Sequence, residues 1–577
     1  MGACVAALCL VGCQGTPPGA GGRAGAGSDY SPADDPLVNP PELFEPFPVD
    51  NPERADLNAT LLLHSLDSPK SLNPIFLDTW SNGWVRDLVF DLLVIRNSEM
   101  VTEPNHEIVE TWDVSEDRRT TTVTLKDGLR WHDGEPFTTR DVAFSWEVNS
   151  SPDVPAVFWE PRAEEIVAAE VVDDLTVRFT HRRSTALVTE HLYFPIIPEH
   201  IWNDPAERAK DPTLKNSSHH NYWAREEVIG NGPYRFVEWV ASDRIVLERW
   251  DDYPGPRPHI RRIIMKIQPD RNTAMLLFKK GELDEIWLTV QQFATQSNDD
   301  EFRRLGAKAY APRSMFGNIG WNMDGSNPFF GDRRVRWAMA HAYDAERVLR
   351  TVTHNVYSRS TGPFIRGHWP HNPEVAPIEY DPERAAALLD EAGWLTSADD
   401  GWRYKTIDGE PVRFNFEMLI PQSFVDAVRM ADIYREDLRR LGVSFETRVV
   451  ENAANLQRMR KHEFEAFVAT GQLFTDPDLW VSYFHSRNYE QGRNYGGYRN
   501  PKVDELLELS RSELDYDTRR GHFQDFHALV YEDQPYLFLW DYATTWGFSK
   551  RVRGVTLAKS GVLNFLPGMR EWWIVAE

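Results

Sequence analysis

The residues of this 577-residue chain that could do chemistry are its 17 histidines, its 88 carboxylates and its three cysteines. The cysteines exclude most of what cysteine can do. Cys4, Cys9 and Cys13 all fall within the first thirteen residues. The rest of the chain therefore has no thiol to form a disulfide, hold a metal or attack a substrate. The histidines do not assemble a reaction either. His106-Glu107 is followed by Ile108, Val109 and Glu110, so the second histidine of a His-Glu-x-x-His zinc motif is missing. His219 and His220 are adjacent, and helix or strand geometry points neighbouring side chains apart. His368 and His371 flank Trp369-Pro370 in an expected loop, where a solvated turn is favoured over a metal site. The sequence has no Gly-x-Ser-x-Gly elbow and no Walker loop. Among 88 carboxylates, pairs resembling those of a glycosidase arise by chance. The expectation is a protein that is not an enzyme and needs neither cofactor nor metal.

Binding is better represented than catalysis. The chain has 21 tryptophans. Trp80, Trp84, Trp131, Trp321, Trp480 and Trp546 lie near expected loops or element ends. Rigid flat rings make good walls for a ligand cleft, although core packing is the commoner use of any one of them. A net charge of −25 argues against nucleic acid and against adsorption to anionic lipid. With 41% hydrophobic and 26% charged residues, the composition is that of a folded globular chain. The length predicts several domains or one large composite domain.

The N-terminal stretch ACVAALCLVGC is a short apolar run of signal-peptide type, too short to span a bilayer. Its end, Leu10-Val11-Gly12-Cys13, resembles the bacterial lipobox, in which the cysteine is lipidated and becomes the mature N-terminus. It departs from that pattern in one respect: no Lys or Arg precedes the apolar run. Residues 14–55 are rich in glycine and then in proline, as expected of a tether between an anchor and a folded body. No later segment reaches 18 apolar residues, so the lipid is the only expected membrane attachment.

The elements that must position any site can be read from local signals. Ala59–His64 predicts a buried strand, and residues 120–132 predict a hairpin turning at Asp127-Gly128. Thr138 with Asp141 three residues on predicts a capped helix, stapled by Phe137 and Val142. Residues 230–249 predict a second hairpin around Ala241-Ser242-Asp243. Strand-helix-strand units are expected over 262–288, closed by Gly281, and over 425–449, with Gly442 as the stop. Asp381-Pro382 and Asn500-Pro501 open further helices, the first ended by Gly393. No internal repeat is found. Hairpins mixed with strand-helix-strand units indicate α/β lobes.

Eight segments, in order, together resemble the extracellular solute-binding proteins of family 5. They begin with Ser65–Pro74 and Trp112–Asp117, the latter followed by Val123–Val142 with its Trp131-His-Asp-Gly134 turn. Gly230–Tyr234, Gly281–Asp284 and Asp332–Ala338 follow. The last are Tyr380–Leu389, Asp476-Pro-Asp478 and Tyr498–Asp504. Members of that family bind oligopeptides, dipeptides or nickel chelates for ABC importers. The resemblance implies an α/β, two-lobed periplasmic-binding-protein-like fold (type II, cluster C-like) with an extra domain inserted in lobe I. Residues 56–92, 206–312 and 541–577 would form lobe I, 93–205 the extra domain and 313–540 lobe II. It also implies a monomeric lipoprotein, outside the cytoplasm, that hands a solute to permease subunits and through them to an ATPase. A non-transport peptide chaperone or signalling receptor, or import of an oligosaccharide or metal chelate, are the alternatives.

Peptide-binding members anchor the ligand's amino group with an Asp just before the Asp-Pro-Asp segment. Here that position falls on Gln472 or Leu473. Dipeptide binders hold the carboxylate with an Arg in a strand-to-helix loop, where this chain has Pro421-Gln422-Ser423-Phe424. Amides and hydroxyls hydrogen-bond but do not neutralise charge. The expectation is therefore weak binding of free dipeptides and preference for a neutral or end-blocked solute. Trp80, Trp321, Phe474 and Trp480 are the expected aromatic walls, with Asp67 or Asp476 as substitute counter-charges.

Overall fold

Three main sheets form the framework: the antiparallel strand Thr120–Leu125 alternates buried and half-buried residues, whereas the long strands Gly306–Trp321 and Tyr536–Ser549 are buried almost throughout. The computed structural model describes residues 52–75, 80–98, 101–151, 154, 163, 165–203, 228–472, 476–490, 492–558 and 568–576. Cys13, the tether through residue 51, Leu473 and Phe474 lie outside the described residues.

In the first sheet, Thr60–Ser65 pairs in parallel with Arg262–Ile267, and Arg244–Arg249 and Tyr234–Val240 continue it antiparallel. The predicted hairpin between the last two turns at Ser242, which takes φ 60°. A second, wholly antiparallel sheet orders Val109–Val114, Thr120–Leu125, Thr176–His181 and Ile166–Val171. Its core-facing residues, Val123, Leu125, Val177 and Phe179, are at most 1% exposed. The expected hairpin over 120–132 is a correction. Gly128 makes its turn with φ 79°, but strand Thr120–Leu125 is bonded along both edges by Val109–Val114 and Thr176–His181. No edge of that strand remains for 129–132, which instead bonds locally to Glu135–Phe137 through the bridge Arg130 to Pro136, and to Gly230. The predicted helix follows as Thr139–Ser150. Thr138 caps it, and the Asp141 side chain accepts from the Thr138 N–H at 2.8 Å.

The third sheet has six strands, in the order Glu285–Trp287, Tyr536–Ser549, Gly306–Trp321, Ala466–Gln472, Asn415–Pro421 and Ser444–Val450. Asn415–Pro421 runs parallel to both of its neighbours. Separate apolar cores cover the two faces, one around Trp321, Phe416 and Tyr434, the other around Phe316, Trp480 and Phe526. The 262–288 unit thus has its two strands in different sheets, Arg262–Ile267 in the first and Glu285–Trp287 in the third. Asp284 joins them: its N–H donates to the Leu62 carbonyl at 2.7 Å and its carboxylate accepts from the Leu62 N–H at 2.9 Å.

Gly306–Trp321 and Tyr536–Ser549 form the longest ladder, and their register breaks twice near its middle, between Pro312 and Phe316 and between Gly317 and Asn318. Pro312 pairs with Ala543 and Phe316 with Asp541, so Arg313, Ser314 and Met315 face the single residue Tyr542. A bulge of this kind bends the strand and redirects its side chains.

Glu285 is fully buried beside this junction, accepting from the His64 N–H at 3.2 Å. Burial pushes its carboxyl up to about 8, so at neutral pH the folded form is protonated while the unfolded form is ionised. Folding then takes up a proton, and this group's contribution is lost as pH rises from about 4.5 to 8. Glu285→Gln should gain on the wild type by roughly 1–3 kcal/mol between pH 5 and pH 8. Urea titrations at the two pH values measure this. A wild-type-to-variant difference that stays constant would mean that Glu285 is ionised in the fold.

Candidate functional site

The parallel strands Asn415–Pro421 and Ala466–Gln472 end at the same edge of the six-stranded sheet. The carboxyl ends of parallel strands are where open α/β sheets leave room for ligands. The helix Asn452–Arg460 flanks this edge, tied by the Ser423 hydroxyl donating to Asn452 Oδ1 at 3.0 Å. Trp480–Phe484 forms a short helix on one face. Between them lies a cavity of about 220 Å³ lined by Phe316, Pro421, Phe424, Phe467, Trp480 and Tyr483, among others. Trp480 is fully buried, with its ring 5.6 Å from Phe316 and 5.3 Å from Tyr483. Gly471 permits this packing, because a Cβ there would lie 2.2 Å from the Phe316 ring. Two amides complete the lining. Asn318 and Asn455 are 4% and 5% exposed, and Oδ1 of each is buried without a hydrogen-bond partner among the described residues. Buried acceptors left open in this way are satisfied by a donor that arrives with a ligand or by water.

The expected site residues divide sharply. Gln422, Ser423 and Trp480 lie near this edge; Gln472 is the last residue of its strand, its backbone paired to Met315, and its side chain lies outside the described residues. Gln422 and Ser423 are exposed, the former donating its N–H to the Val450 carbonyl. Trp80 opens the helix Trp80–Val89, and its side chain lies outside the described residues. Asp67 is exposed just beyond the first strand.

Trp321 is a correction. It pairs with Ala466, six residues along the ladder from Met315–Gln472, so it sits about 20 Å from the site at roughly 3.3 Å per residue. It is fully buried, its ring stacked 4.5 Å from Phe330, as a core residue. Asp476 is the other correction. Arg519 grips its carboxylate at both oxygens, at 2.6 and 2.8 Å, and Arg511 holds Asp478 at 2.6 Å. This motif is a bidentate structural clamp, so Asp476 has no free charge to offer an ammonium. His368 and His371 are held by different partners: Nε2 of His368 meets the Ser314 hydroxyl at 2.9 Å and Nε2 of His371 the Thr361 hydroxyl at 3.1 Å. No group of three residues able to hold a metal occurs among the described residues.

A second cluster, not foreseen from sequence, gathers at the register break. Arg271 and Arg313 both approach the Trp287 ring, at 5.1 and 5.5 Å from its centroid. Trp287 itself packs 5.7 Å from Trp546, which packs 6.3 Å from Trp84. Tyr357 and Tyr542 pair at 4.7 Å. Asp426, in the first turn of the helix Val425–Arg440, acts electrostatically on both tyrosines. Burial lowers both guanidiniums, raises the Asp426 carboxyl and pushes the Tyr542 hydroxyl up to about 12. In the sequence, Asp426 reads as a first-turn acid favoured by the helix dipole. Arg313, interrupting the apolar run Ala309–Phe316, was the only local signal.

The family model "Bacterial extracellular solute-binding proteins, family 5 Middle" matches residues 103–491. The chain belongs to this family. Its members bind solutes and are not enzymes. The oligopeptide-binding protein AppA of Bacillus subtilis (strain 168) is 26% identical over 459 residues, 78% of this chain and 80% of that one. The structure of AppA from Bacillus subtilis in complex with a nonapeptide has a TM-score of 0.73 at 24% identity, covering 90% of this chain and 100% of that one. NikA from Brucella suis in complex with Fe(III)-EDTA has a TM-score of 0.75 at 23% identity, covering 90% of this chain and 100% of that one. The family 5 protein is therefore a two-lobed α/β solute-binding protein. No helix among the described residues is long and apolar enough to cross a membrane.

Proposed function

We propose that this family 5 protein captures a peptide or peptide-like solute between two lobes and delivers it to an ABC permease. The observation that carries the peptide reading is the aromatic cavity at the strand ends, where Asn318 and Asn455 present open acceptors suited to amide N–H donors. The solved AppA–nonapeptide complex supports it, and the NikA complex with Fe(III)-EDTA favours a metal chelate as the second reading. The proposed lobes comprise residues 56–92, 206–312 and 541–577 on one side and 313–540 on the other. The register break between Pro312 and Phe316 supports a hinge there.

Lobe closure over a ligand should change tryptophan emission, so fluorescence titration tests the reading directly. An amino-blocked oligopeptide should bind at least about tenfold more tightly than a free dipeptide, because an unpaired ammonium brought into the site costs more than 1.4 kcal/mol. Micromolar binding of free dipeptides would overturn that preference. Binding of a metal chelate with no response to any peptide would favour the second reading.

The anchor is proposed at Cys13, on the strength of Leu10-Val11-Gly12-Cys13. Cys13→Ala should move the protein from the membrane fraction to the soluble fraction of its host. Equal membrane retention of the variant would place the anchor elsewhere.

A further inference from the structure

We propose that the cavity at the strand ends is a subsite for one side chain of the solute, an uncharged aromatic ring that ends in a hydroxyl, as in tyrosine. This rests on the peptide reading of that cavity, and it names the residue class that the cavity selects.

Size limits what enters. Pockets that take a whole small molecule run to roughly 300–1,000 Å³, whereas this cavity holds about 220 Å³. It admits one side chain and leaves the main chain of a solute outside. Leu456 on its lining is exposed, and so are Val425 and Val449 beside the same strand ends, so apolar surface surrounds the way in. The lining then sets the chemistry. None of its described residues is charged, so a carboxylate or ammonium would lose its water there with no counter-charge in the lining to meet it. Arg493, which donates to the Tyr483 hydroxyl at 3.1 Å, is outside that lining. Phe316, Phe467, Trp480 and Tyr483 present rings instead, and these pack well against another ring, edge to face or offset.

A plain phenyl group would match those walls and fail the polar atoms among them. Oδ1 of Asn318, Oδ1 of Asn455 and Nε1 of Trp480 are buried with no hydrogen-bond partner among the described residues. Asn455 donates its Nδ2 to the Met459 sulfur at 3.3 Å, so its oxygen is the group left open. The open set thus contains both acceptors and a donor. A hydroxyl serves both, giving its hydrogen to an asparagine and accepting from the indole N–H of Trp480. A phenyl tip shuts these atoms off from water and pairs none of them, the arrangement in which a neutral polar group costs most. A site built in this way separates tyrosine from phenylalanine far more sharply than an apolar pocket separates two hydrocarbons.

The test uses end-blocked pentapeptides, acetyl-Ala-Ala-X-Ala-Ala-amide, with X as Tyr, Phe, Gln or Lys. Alanine at the other positions lets the peptide slide until X meets the cavity. Calorimetry reads each affinity. The Tyr peptide should bind at least about tenfold more tightly than the Phe peptide, and the Phe peptide more tightly than the Gln or Lys peptide. Asn455→Leu removes one acceptor from the helix Asn452–Arg460. It should bring the Tyr and Phe peptides within about twofold of each other by weakening Tyr and not Phe. Free p-cresol and toluene probe the cavity without a peptide, and they carry the test with the wild-type panel if the variant fails to fold. If p-cresol binds in preference to toluene and no peptide binds, the peptide reading fails and the subsite stands. The subsite is overturned if the Tyr and Phe peptides bind the wild type alike, which would leave both asparagines to water. It is also overturned if the Gln or Lys peptide binds best, if Asn455→Leu weakens Tyr and Phe equally or changes neither, or if neither a peptide nor p-cresol binds.

Discussion

Replacing Arg570 with alanine is expected to cost the folded state about 3–5 kcal/mol, the range for breaking a buried ion pair from one side. Arg570 lies in the turn Gly568–Glu571 with its side chain only 7% exposed. Its Nη2 donates to Asp91 at 2.7 Å and to the Asp87 carbonyl at 3.1 Å, and its Nη1 donates to Glu107 at 2.6 Å. The Tyr253 hydroxyl donates to the second Asp91 oxygen at 2.7 Å. The Asp91 side chain is wholly inaccessible, and burial raises its carboxyl despite the arginine. Without Arg570, Asp91 and Glu107 share a buried space with one phenol between them, and protonation or partial unfolding must follow. The network joins positions 479 apart in sequence, so its loss releases the C-terminal segment from the first third of the chain. Arg570→Lys keeps the charge but cannot bridge both carboxylates, and roughly half of the loss should remain. Denaturant unfolding at pH 7 measures both variants. An Arg570→Ala protein within about 1 kcal/mol of wild type would show that the two carboxylates find other partners.

Stability should also fall steeply as pH drops from about 6.5 to 4. His132, His181 and His527 are buried, and burial lowers them to about 4, 4 and 3 respectively. Geometry requires the neutral form in two of them. Nδ1 of His132 accepts from the Gly230 N–H at 3.2 Å while Nε2 donates to the Gly232 carbonyl at 2.9 Å. Nδ1 of His527 accepts from the Asn372 N–H at 3.1 Å. A proton on either Nδ1 would set donor against donor. Since the folded values lie below the unfolded value of about 6.5, the unfolded chain binds more protons across that interval. The contribution is complete above pH 6.5, declines as pH falls, and does not change further below about pH 3. Each ring is worth roughly 3–5 kcal/mol at the limit. Glu285 acts in the opposite direction, together with other carboxyls that burial raises, Asp91, Asp426 and Asp437 among them. Melting temperatures across this range should show the slope, and His527→Gln should flatten it. A profile that is level from pH 6.5 to 4.5 would mean that these rings accept protons without cost.

Much of the local structure was legible because its causes are local. The cap on Thr139–Ser150 needs only Thr138 and Asp141, and the turn at Ser242 and the helix stops at Gly281, Gly393 and Gly442 are residues in the left-handed region. The spacing of motifs along the chain was likewise enough to place it in its family, because that order is itself a property of sequence. Strand pairing was different. Whether Asp127-Gly128 closes a hairpin depended on which edges of Thr120–Leu125 were already bonded, by segments up to sixty residues away. The site followed the same rule. That Gln422, Ser423, Gln472 and Trp480 flank strand ends is a local property; whether they meet a ligand is not. Trp321 could not be excluded without the ladder register that carries it to the far end of its strand. Asp476 looked available until the fold brought Arg519 to it from 43 positions away. Arg271, Arg313 and Asp426 become one cluster only where two long strands slip register, and no segment taken alone encodes that meeting of three.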